Sequence, residues 1–199
     1  MGSAERKPAV DRGILIVAGL IGAALMVGYV DTLVSAGSTN GHRFGSLVDQ
    51  DGHVFASEAG SHGYKLVAFG FTQCPDVCPT TLLKVHRVLD ALGPNKRPLA
   101  PLFVTLDPVH DTPQALQQYT SAFDKRIIGI TGDAHEVRAF ASTYGVYPPG
   151  EEQSGMRETI THSPMLYLLG RDNEMLAAYQ PVTGVEAIAQ DISQRQQGQ

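Results

Sequence analysis

Residues 66–81 read LVAFGFTQCPDVCPTT, and this stretch contains both cysteines of a 199-residue chain. Its first part, residues 66–71, is a short uninterrupted apolar run, which is typical of a strand buried on both faces of a sheet. Beyond the cysteines, apolar side chains recur at three- and four-residue spacing over residues 82–92, which predicts an amphipathic helix. We therefore expect Cys74 and Cys78 at the junction between a central strand and a helix.

The same signals predict the remaining elements of the chain. A hairpin is expected around Asp51-Gly52, and Thr112-Pro113 has the residue types of a helix N-cap and first helical position. The other predicted elements are strands at 102–106 and 127–131, a helix at 133–144, a hairpin of 165–169 with 175–179, and a closing helix at 185–192. Strands that alternate with helices, followed by a terminal hairpin and helix, indicate an α/β fold with a mixed sheet.

Composition and charge restrict the class of protein. Hydrophobic residues make up 43 % of the chain and charged residues 18 %, which is typical of a globular protein. The net charge is −5 and no dense Lys/Arg run occurs, which argues against a nucleic-acid partner. Residues 44–194 are long enough to form one compact domain with a full core. We expect residues 195–199 to form a polar tail.

The N-terminal segment has the pattern of a membrane anchor. Residues 13–34 are almost uniformly apolar and just long enough for one helix to span a bilayer. Basic residues lie in segment 1–12 and none follows until Arg43, so we expect a cytoplasmic N-terminus, one transmembrane helix, a linker at 35–43 and an exported domain. The alternative is a cleaved signal peptide with a small-residue cleavage site at 34–36, which would leave a soluble exported domain.

The cysteine pair allows more than one chemistry. A thiol that faces the N-terminus of a helix is stabilised as the thiolate by the helix dipole and by unpaired backbone N–H groups. Three residues separate Cys74 from Cys78, a spacing that permits a disulfide and also lets both sulfurs approach one metal ion. The carboxylate of Asp76, between them, opposes thiolate formation but favours a bound cation; alternatively, Asp76 simply caps the helix. An inert disulfide is the less favoured interpretation, since closing so short a loop adds little stability.

A third ligand must come from the seven histidines. His110 and His162 are the candidates, because the others lie in polar N-terminal segments or on predicted helices. His162 and Pro164 precede the predicted strand at 165–169. In thioredoxin-like folds, the loop before the strand at this place carries a proline packed against the dithiol. If Pro164 is that proline, His162 comes within reach of the two cysteines, and two thiolates with one imidazole favour Cu(I) and tolerate Cu(II) or Zn(II). A buried, hydrogen-bonded His162 without metal is the alternative.

These residues carry a resemblance to a known family. The stretch FGFTQCPDVCPTTL at 69–82 resembles the signature of the Sco/SenC copper chaperones, which are membrane-tethered proteins with a thioredoxin-like fold. VTLDPVHDTP at 104–113, THSPMLYLL at 161–169 and the hairpin around Asp51-Gly52 fit the same family in the same order. The resemblance implies a mixed sheet flanked by helices, and in a bacterium it implies a periplasmic domain held at the inner membrane.

The resemblance also implies a function. Copper, as Cu(I) or Cu(II), would be bound by Cys74, Cys78 and His162 and delivered to the CuA centre during cytochrome c oxidase assembly. The expected partners are the copper-centre subunit of a respiratory oxidase, which the dithiol also reduces before transfer, and a copper donor or thiol reductant. We expect a metallochaperone rather than an enzyme with turnover.

The resemblance also has implications for four further residues. Asp107 and Asp111 match an acidic pair of the family, and we expect Asp107 to order the loop near the site, although a turn-and-cap role explains both aspartates without function. His110 departs from the family pattern and offers an adventitious fourth ligand. Thr161 stands where an acidic residue is common, which changes the group that orients the imidazole of His162.

Other functions remain open from the sequence. A thiol–disulfide oxidoreductase would use Cys74 as the attacking thiol and Cys78 as the resolving thiol, but would give His162 no role. A redox sensor that signals through a disulfide is also compatible with the pair. A peroxiredoxin-like peroxidase fits poorly, because Phe71 stands three residues before Cys74, where that family has threonine or serine.

Overall fold

A computed structural model describes residues 47–55, 63–93, 99–147 and 164–197. These residues all belong to one compact unit, Gly41–Gln199. The predicted anchor at 13–34 and the linker at 35–43 lie outside the described residues. Within the described ranges, no helix is both long and apolar enough to cross a membrane.

The described strands form one mixed sheet with the order β1-β4-β3-β2-β5-β6. Its strands are β1 (Val48–Asp49), β2 (Tyr64–Gly70), β3 (Leu99–Thr105), β4 (Ile128–Thr131), β5 (Leu166–Leu169) and β6 (Met175–Tyr179). The consecutive strands β4, β3 and β2 are parallel, whereas β1, β5 and β6 each pair antiparallel with their neighbours. The mixed sheet predicted from the order of elements is therefore confirmed.

Four helices are described: α1 (Val77–Leu92), α2 (Pro113–Ser121), α3 (Ala134–Ser142) and α4 (Val185–Gln197). The predicted N-cap of α2 is confirmed, because the Thr112 hydroxyl accepts a hydrogen bond from the Ala115 backbone N–H at 3.2 Å. Helix α1 ends at Gly93, whose φ of 72° favours glycine at this position.

Helix α4 continues further than the predicted 185–192 segment and includes residues 195–197 of the expected polar tail. The polar composition of this end is explained by its contacts. Arg195 Nε donates to Asp191 at 2.9 Å, and the Arg195 carbonyl accepts a hydrogen bond from the Tyr64 hydroxyl at 2.9 Å. Gln196 is buried, so the last turn of α4 packs on the domain despite its polar sequence.

Strand β2 divides two apolar clusters. Leu66 and Ala68 belong to the cluster that packs against α1, α2 and α4, whereas Val67 and Phe69 belong to the cluster that packs against α3 and the 47–55 hairpin. Successive side chains of a strand point to opposite faces of the sheet. Because an apolar cluster covers each face, every residue of β2 is buried. This explains why β2 is a continuous apolar run, and it leaves the C-terminal end of the strand, where the cysteines follow, as the point at which the chain reaches the surface.

Candidate metal-binding dithiol site

The turn between β2 and α1 brings the two cysteines together. Cys78 lies in the first turn of α1, and its backbone N–H donates a hydrogen bond to Cys74 Sγ at 3.4 Å. The Cys74 backbone N–H donates in turn to the Phe71 carbonyl at 3.2 Å, which closes the turn. Both cysteines are free thiols, with only 5 % of Cys74 and 6 % of Cys78 exposed. The predicted position of Cys74 at the N-terminus of a helix is confirmed.

The two thiols differ in acidity. Burial raises the pKa of Cys74, but hydrogen bonds from the Cys78 thiol and from the backbone N–H groups of Cys78, Asp76 and Val77 outweigh it, so the net pKa lies below the ordinary value. Burial and, to a lesser extent, the hydrogen bond that its thiol donates to Cys74 together raise the pKa of Cys78 to about 12. Cys74 therefore ionises first, with Cys78 as its hydrogen-bond donor.

Gly70, the last residue of β2, makes room for one of the sulfurs. A Cβ at this position would lie 2.5 Å from Cys78 Sγ and 2.9 Å from Cε2 of Phe103. Only a residue without a side chain allows the sulfur to rest against the strand in this way. The interpretation of residues 66–71 as a plain buried strand missed this role, although a glycine inside a buried strand is itself a signal of close approach.

Asp76 occupies the N-cap position of α1, but its side chain accepts no capping hydrogen bond. The acceptor at this helix end is instead Cys74 Sγ, through the bond from the Cys78 N–H. The alternative in which the Asp76 carboxylate caps the helix is therefore wrong. Its side chain is exposed.

The structure separates the roles of the two aspartates after β3. Asp111 is fully buried and accepts hydrogen bonds from the Thr72 backbone N–H at 3.0 Å and from the Thr72 hydroxyl at 2.5 Å. Asp107 is partly exposed, and its carbonyl accepts from the backbone N–H of Asp111 at 2.9 Å. Asp111 therefore ties the cysteine turn to the loop after β3, whereas the described bonds of Asp107 lie within its own loop.

His110 points towards Asp107 rather than being buried at the dithiol. Its Nδ1 lies 2.8 Å from Asp107 Oδ2, and the side chain is 63 % exposed. Among the other described histidines, His86 pairs with Asp124 at 2.7 Å, and His135 lies in the first turn of α3. None of the described residues thus supplies a buried imidazole to the two thiols.

His162 and Thr161 lie outside the described residues, but Pro164, two positions further on, is described and half-buried. It precedes β5, which pairs antiparallel with β2 in the register Ala68↔Leu166. Continuing this register by two residues matches Pro164 with Gly70, the residue that contacts Cys78 Sγ. The pairing of β2 with β5 therefore matches Pro164 with the end of β2 from which the cysteine turn follows.

Tyr119 of α2 adds a buried polar group to this region. Its ring packs against Phe103 with centroids 5.5 Å apart. The hydroxyl is buried and has no hydrogen-bond partner among the described residues. Burial raises the pKa of Tyr119, and the negative charges of Cys78, Cys74 and Asp111 add to this effect, so the phenol stays a neutral donor in the electrostatic field of the site.

Comparison with known proteins agrees with this geometry. The family model described as SCO1/SenC matches residues 35–197. The chain belongs to the SCO1/SenC family. An SCO2-like protein of Rickettsia prowazekii is 33 % identical over 132 residues, which cover 65 % of this chain and 64 % of the relative. The match thus spans less than two thirds of that relative's own length.

Solved structures of Sco proteins share the fold. The structure of Bradyrhizobium japonicum ScoI with copper bound is 31 % identical, with a TM-score of 0.64, and the match covers 75 % of this chain and 95 % of that one. BsSco is a member of the Sco family of cytochrome c oxidase assembly proteins in which a disulfide switch was identified. It is 21 % identical, with a TM-score of 0.62 over 77 % of this chain and 91 % of that one. The predicted thioredoxin-like α/β fold is confirmed.

Proposed function

We propose that this SCO1/SenC protein binds copper as cargo through Cys74, Cys78 and His162 and delivers it to the CuA centre during cytochrome c oxidase assembly. Family membership and the copper-bound ScoI structure support this proposal. The observation that carries it is the pair of free, adjacent thiols at the N-terminus of α1, joined by the 3.4 Å bond from the Cys78 N–H to Cys74 Sγ.

The donor set suits copper. Thiolates are soft ligands that favour Cu(I), and Cys74 is already the more acidic thiol. Cys78 must lose its proton to become a ligand, and the positive charge of the metal offsets the cost of ionising this buried group. Metal binding is therefore expected to release protons and to weaken as the pH falls.

A third ligand from His162 is consistent with the described part of the chain. His162 stands two residues before Pro164, and two extended residues span about 7 Å. The register of β5 on β2 matches Pro164 with Gly70, which supports the proposal that a side chain within that distance would reach the two sulfurs. Three protein ligands leave the site open to an incoming thiol or imidazole of the target, which permits transfer by ligand exchange.

We also propose that residues 13–34 anchor the protein in the bacterial inner membrane, with the domain in the periplasm. The uncharged part of this run, residues 13–30, and the basic residues before it support this orientation. An oxidising compartment allows the two cysteines to form a disulfide. Oxidation would remove both thiolate ligands, so the copper-loaded and disulfide forms exclude each other.

One observation favours a second function, thiol–disulfide exchange. Cys74 has the lowered pKa expected of an attacking thiol, and Cys78 has the raised pKa of a thiol that acts later as resolving group. In the attack, the Cys74 thiolate forms a bond to one sulfur of a target disulfide and releases the other as a thiolate. Cys78, once deprotonated, then displaces the first target sulfur and leaves the Cys74–Cys78 disulfide, which an external thiol reductant must regenerate. The same chemistry would serve reduction of target cysteines or a redox sensor.

A copper titration tests the leading function. The full chain in detergent, reduced and kept free of oxygen, is titrated with Cu(I), and retained copper is counted for the wild type, Cys74→Ser and His162→Ala. His110→Ala is the matched control, because this imidazole is exposed and turned towards Asp107. We expect one tightly held equivalent in the wild type and in His110→Ala, and its loss in the other two variants. If the wild type holds no copper, thiol–disulfide exchange becomes the favoured function; if His162→Ala retains copper fully, the three-ligand site is wrong.

A further inference from the structure

Asp111 is a carboxylate with 0 % exposure at the end of the loop that follows β3. None of the ion pairs within the described ranges includes it. Buried carboxylates are costly unless their oxygens are satisfied by hydrogen bonds or by a cation. The hydrogen-bond partners of Asp111 therefore indicate the role of this buried carboxylate.

Its partners lie on the cysteine turn and on the neighbouring strand. Oδ1 accepts from the Thr72 hydroxyl at 2.5 Å, and Oδ2 accepts from the Thr72 backbone N–H at 3.0 Å. Oδ2 also accepts from the Thr105 hydroxyl at 2.6 Å. Two of the three bonds thus reach a residue that is 39 positions away in sequence and only two positions before Cys74.

The network has a defined direction of donation. The Thr105 hydroxyl accepts from the Asp107 backbone N–H at 2.9 Å, and this leaves its proton for Asp111. At the base of the same loop, the Leu106 N–H donates to the Gly70 carbonyl at 2.7 Å. The chain from Gly70 to Thr72 is therefore tied to β3 and its loop at both ends, immediately before the turn that carries Cys74.

We propose that Asp111 is a positioning residue of the dithiol site, which acts through Thr72 to hold Cys74 at the N-terminus of α1. The bond from the Cys78 N–H to Cys74 Sγ needs the turn to keep its place relative to the helix. Thr72 has no other side-chain hydrogen bond among the described contacts, so Asp111 is what fixes it. Without that tie, the turn loses its attachment to the sheet, and the Cys74 sulfur loses its place opposite the Cys78 N–H.

The test measures the thiols directly and does not depend on copper. In the metal-free, reduced full chain, the rates of alkylation of Cys74 and Cys78 by iodoacetamide are compared near neutral pH by mass spectrometry. Thr72→Val removes one hydroxyl bond to Asp111, keeps the backbone bond and is the variant that best preserves the fold. Asp111→Ala removes all three bonds. Thr72→Ser and Asp111→Asn test rescue, since each can restore hydrogen bonds of similar geometry.

Thr120→Val is the matched control. Thr120 is a fully buried threonine with two hydroxyl contacts, to the Leu116 carbonyl at 2.9 Å and to Gln50 Oε1 at 3.2 Å. These contacts lie outside the network of Asp111. A general loss of stability would act in this variant as well, whereas a loss of positioning would not.

We expect the preference for Cys74 over Cys78 to fall about tenfold in Asp111→Ala and by a smaller factor in Thr72→Val, in proportion to the hydrogen bonds removed. The conservative variants should recover most of it, and Thr120→Val should leave it unchanged. The proposal is overturned if Asp111→Ala keeps the wild-type preference, or if Thr120→Val lowers it equally. It is also overturned if Asp111→Asn behaves like Asp111→Ala, since charge rather than hydrogen bonding would then be responsible.

A copper readout extends the test and rests on the proposed function. Loss of a group that orients a metal ligand typically weakens metal binding by about 10–100-fold, so the dissociation constant of Asp111→Ala should rise within that range. If the wild type binds no copper, the proposed function fails by itself. The alkylation ratio still decides the role of Asp111.

Discussion

The backbone N–H of Cys78 donates to the sulfur of Cys74 across 3.4 Å, so a thiol takes the place that a serine or aspartate oxygen usually has at a helix N-terminus. The residue at the N-cap position, Asp76, makes no such bond with its side chain. One sulfur thus serves as the helix-capping acceptor and as the acidic thiol of the site, which links the start of α1 to the chemistry of the dithiol.

The buried Cys78 thiol predicts that the reduced protein becomes less stable at alkaline pH. The pKa of Cys78 is raised from 9.0 to about 12 in the folded protein, mainly by burial. Between these values the unfolded chain has lost the thiol proton and the folded chain retains it, so the free energy of unfolding should decrease as the pH rises through this window. Urea unfolding of the reduced protein at several pH values measures the slope.

Cys78→Ser is the comparison for this slope. It should reduce the slope without abolishing it, because burial also raises the pKa of Tyr119, Tyr144 and Tyr179 above the usual value of 10.0. An unchanged slope in Cys78→Ser would show that the Cys78 thiol is not protonated through this pH range.

Gly70→Ala is predicted to displace Cys78. The added Cβ would lie 2.5 Å from Cys78 Sγ, and overpacking of this kind costs about 1–3 kcal/mol of stability. Retained Cu(I) should fall because the second sulfur can no longer keep its position. Urea unfolding and copper retention are measured together.

The matched control is Gly129→Ala, where a Cβ would lie 2.7 Å from Cβ of Leu116. This clash is with Leu116 of α2 rather than with a cysteine sulfur, so stability should fall while copper retention stays at the wild-type level. Equal loss of copper in both variants would mean that Gly70 acts through general stability alone.

The ion pairs around Asp124 predict acid sensitivity. Hydrogen bonds from Arg126 and, to a lesser extent, His86 outweigh burial and hold the pKa of Asp124 well below its usual 3.8. Because this pKa is depressed in the folded state, its stabilisation is present above pH 4 or so and is lost as the pH falls further. Asp124→Asn should destabilise the protein by about 1.5–3 kcal/mol at neutral pH, and the difference from wild type should shrink at acid pH.

Asp90→Asn serves as the control for that series. Asp90 pairs with the same arginine, but its side chain is 56 % exposed, and exposed pairs contribute about 0–1 kcal/mol. Thermal or urea unfolding at neutral and acid pH compares the two variants. A difference between Asp124→Asn and wild type that persists undiminished at low pH would contradict the assignment of this stabilisation to the charge of Asp124.

Oxidation should remove copper binding. Closing the Cys74–Cys78 disulfide takes two electrons and two protons from the thiols and removes both thiolate ligands. We expect oxidised protein to retain no tightly held copper and to regain one equivalent after reduction and removal of the reductant. Copper that stays bound to the fully oxidised protein would place the site elsewhere in the chain.

Much of the fold was predictable because its signals are local. The spacing of apolar residues predicts α1, the residue types of Thr112-Pro113 predict the start of α2, and the apolar run before the cysteines predicts β2. The end of α4 was missed because its last turn is polar. It is stabilised by the contact of the Arg195 carbonyl with Tyr64, 131 positions away in sequence, which no local pattern reveals.

In the candidate site, too, some features follow from local sequence and others depend on tertiary contacts. The position of Cys74 and Cys78 between a strand and a helix follows from local sequence, because spacing and periodicity are properties of neighbouring residues. The role of Asp111, rather than Asp107, in tying the cysteine turn to the sheet cannot be read from local sequence, because it depends on the parallel pairing of β2 with β3. The pairing places the ends of both strands at one edge of the sheet, so Thr72 and Asp111 meet although 39 residues separate them. The residue types in the sequence show which side chains can bind a metal or accept a hydrogen bond. The pairing of the strands determines which of these side chains meet.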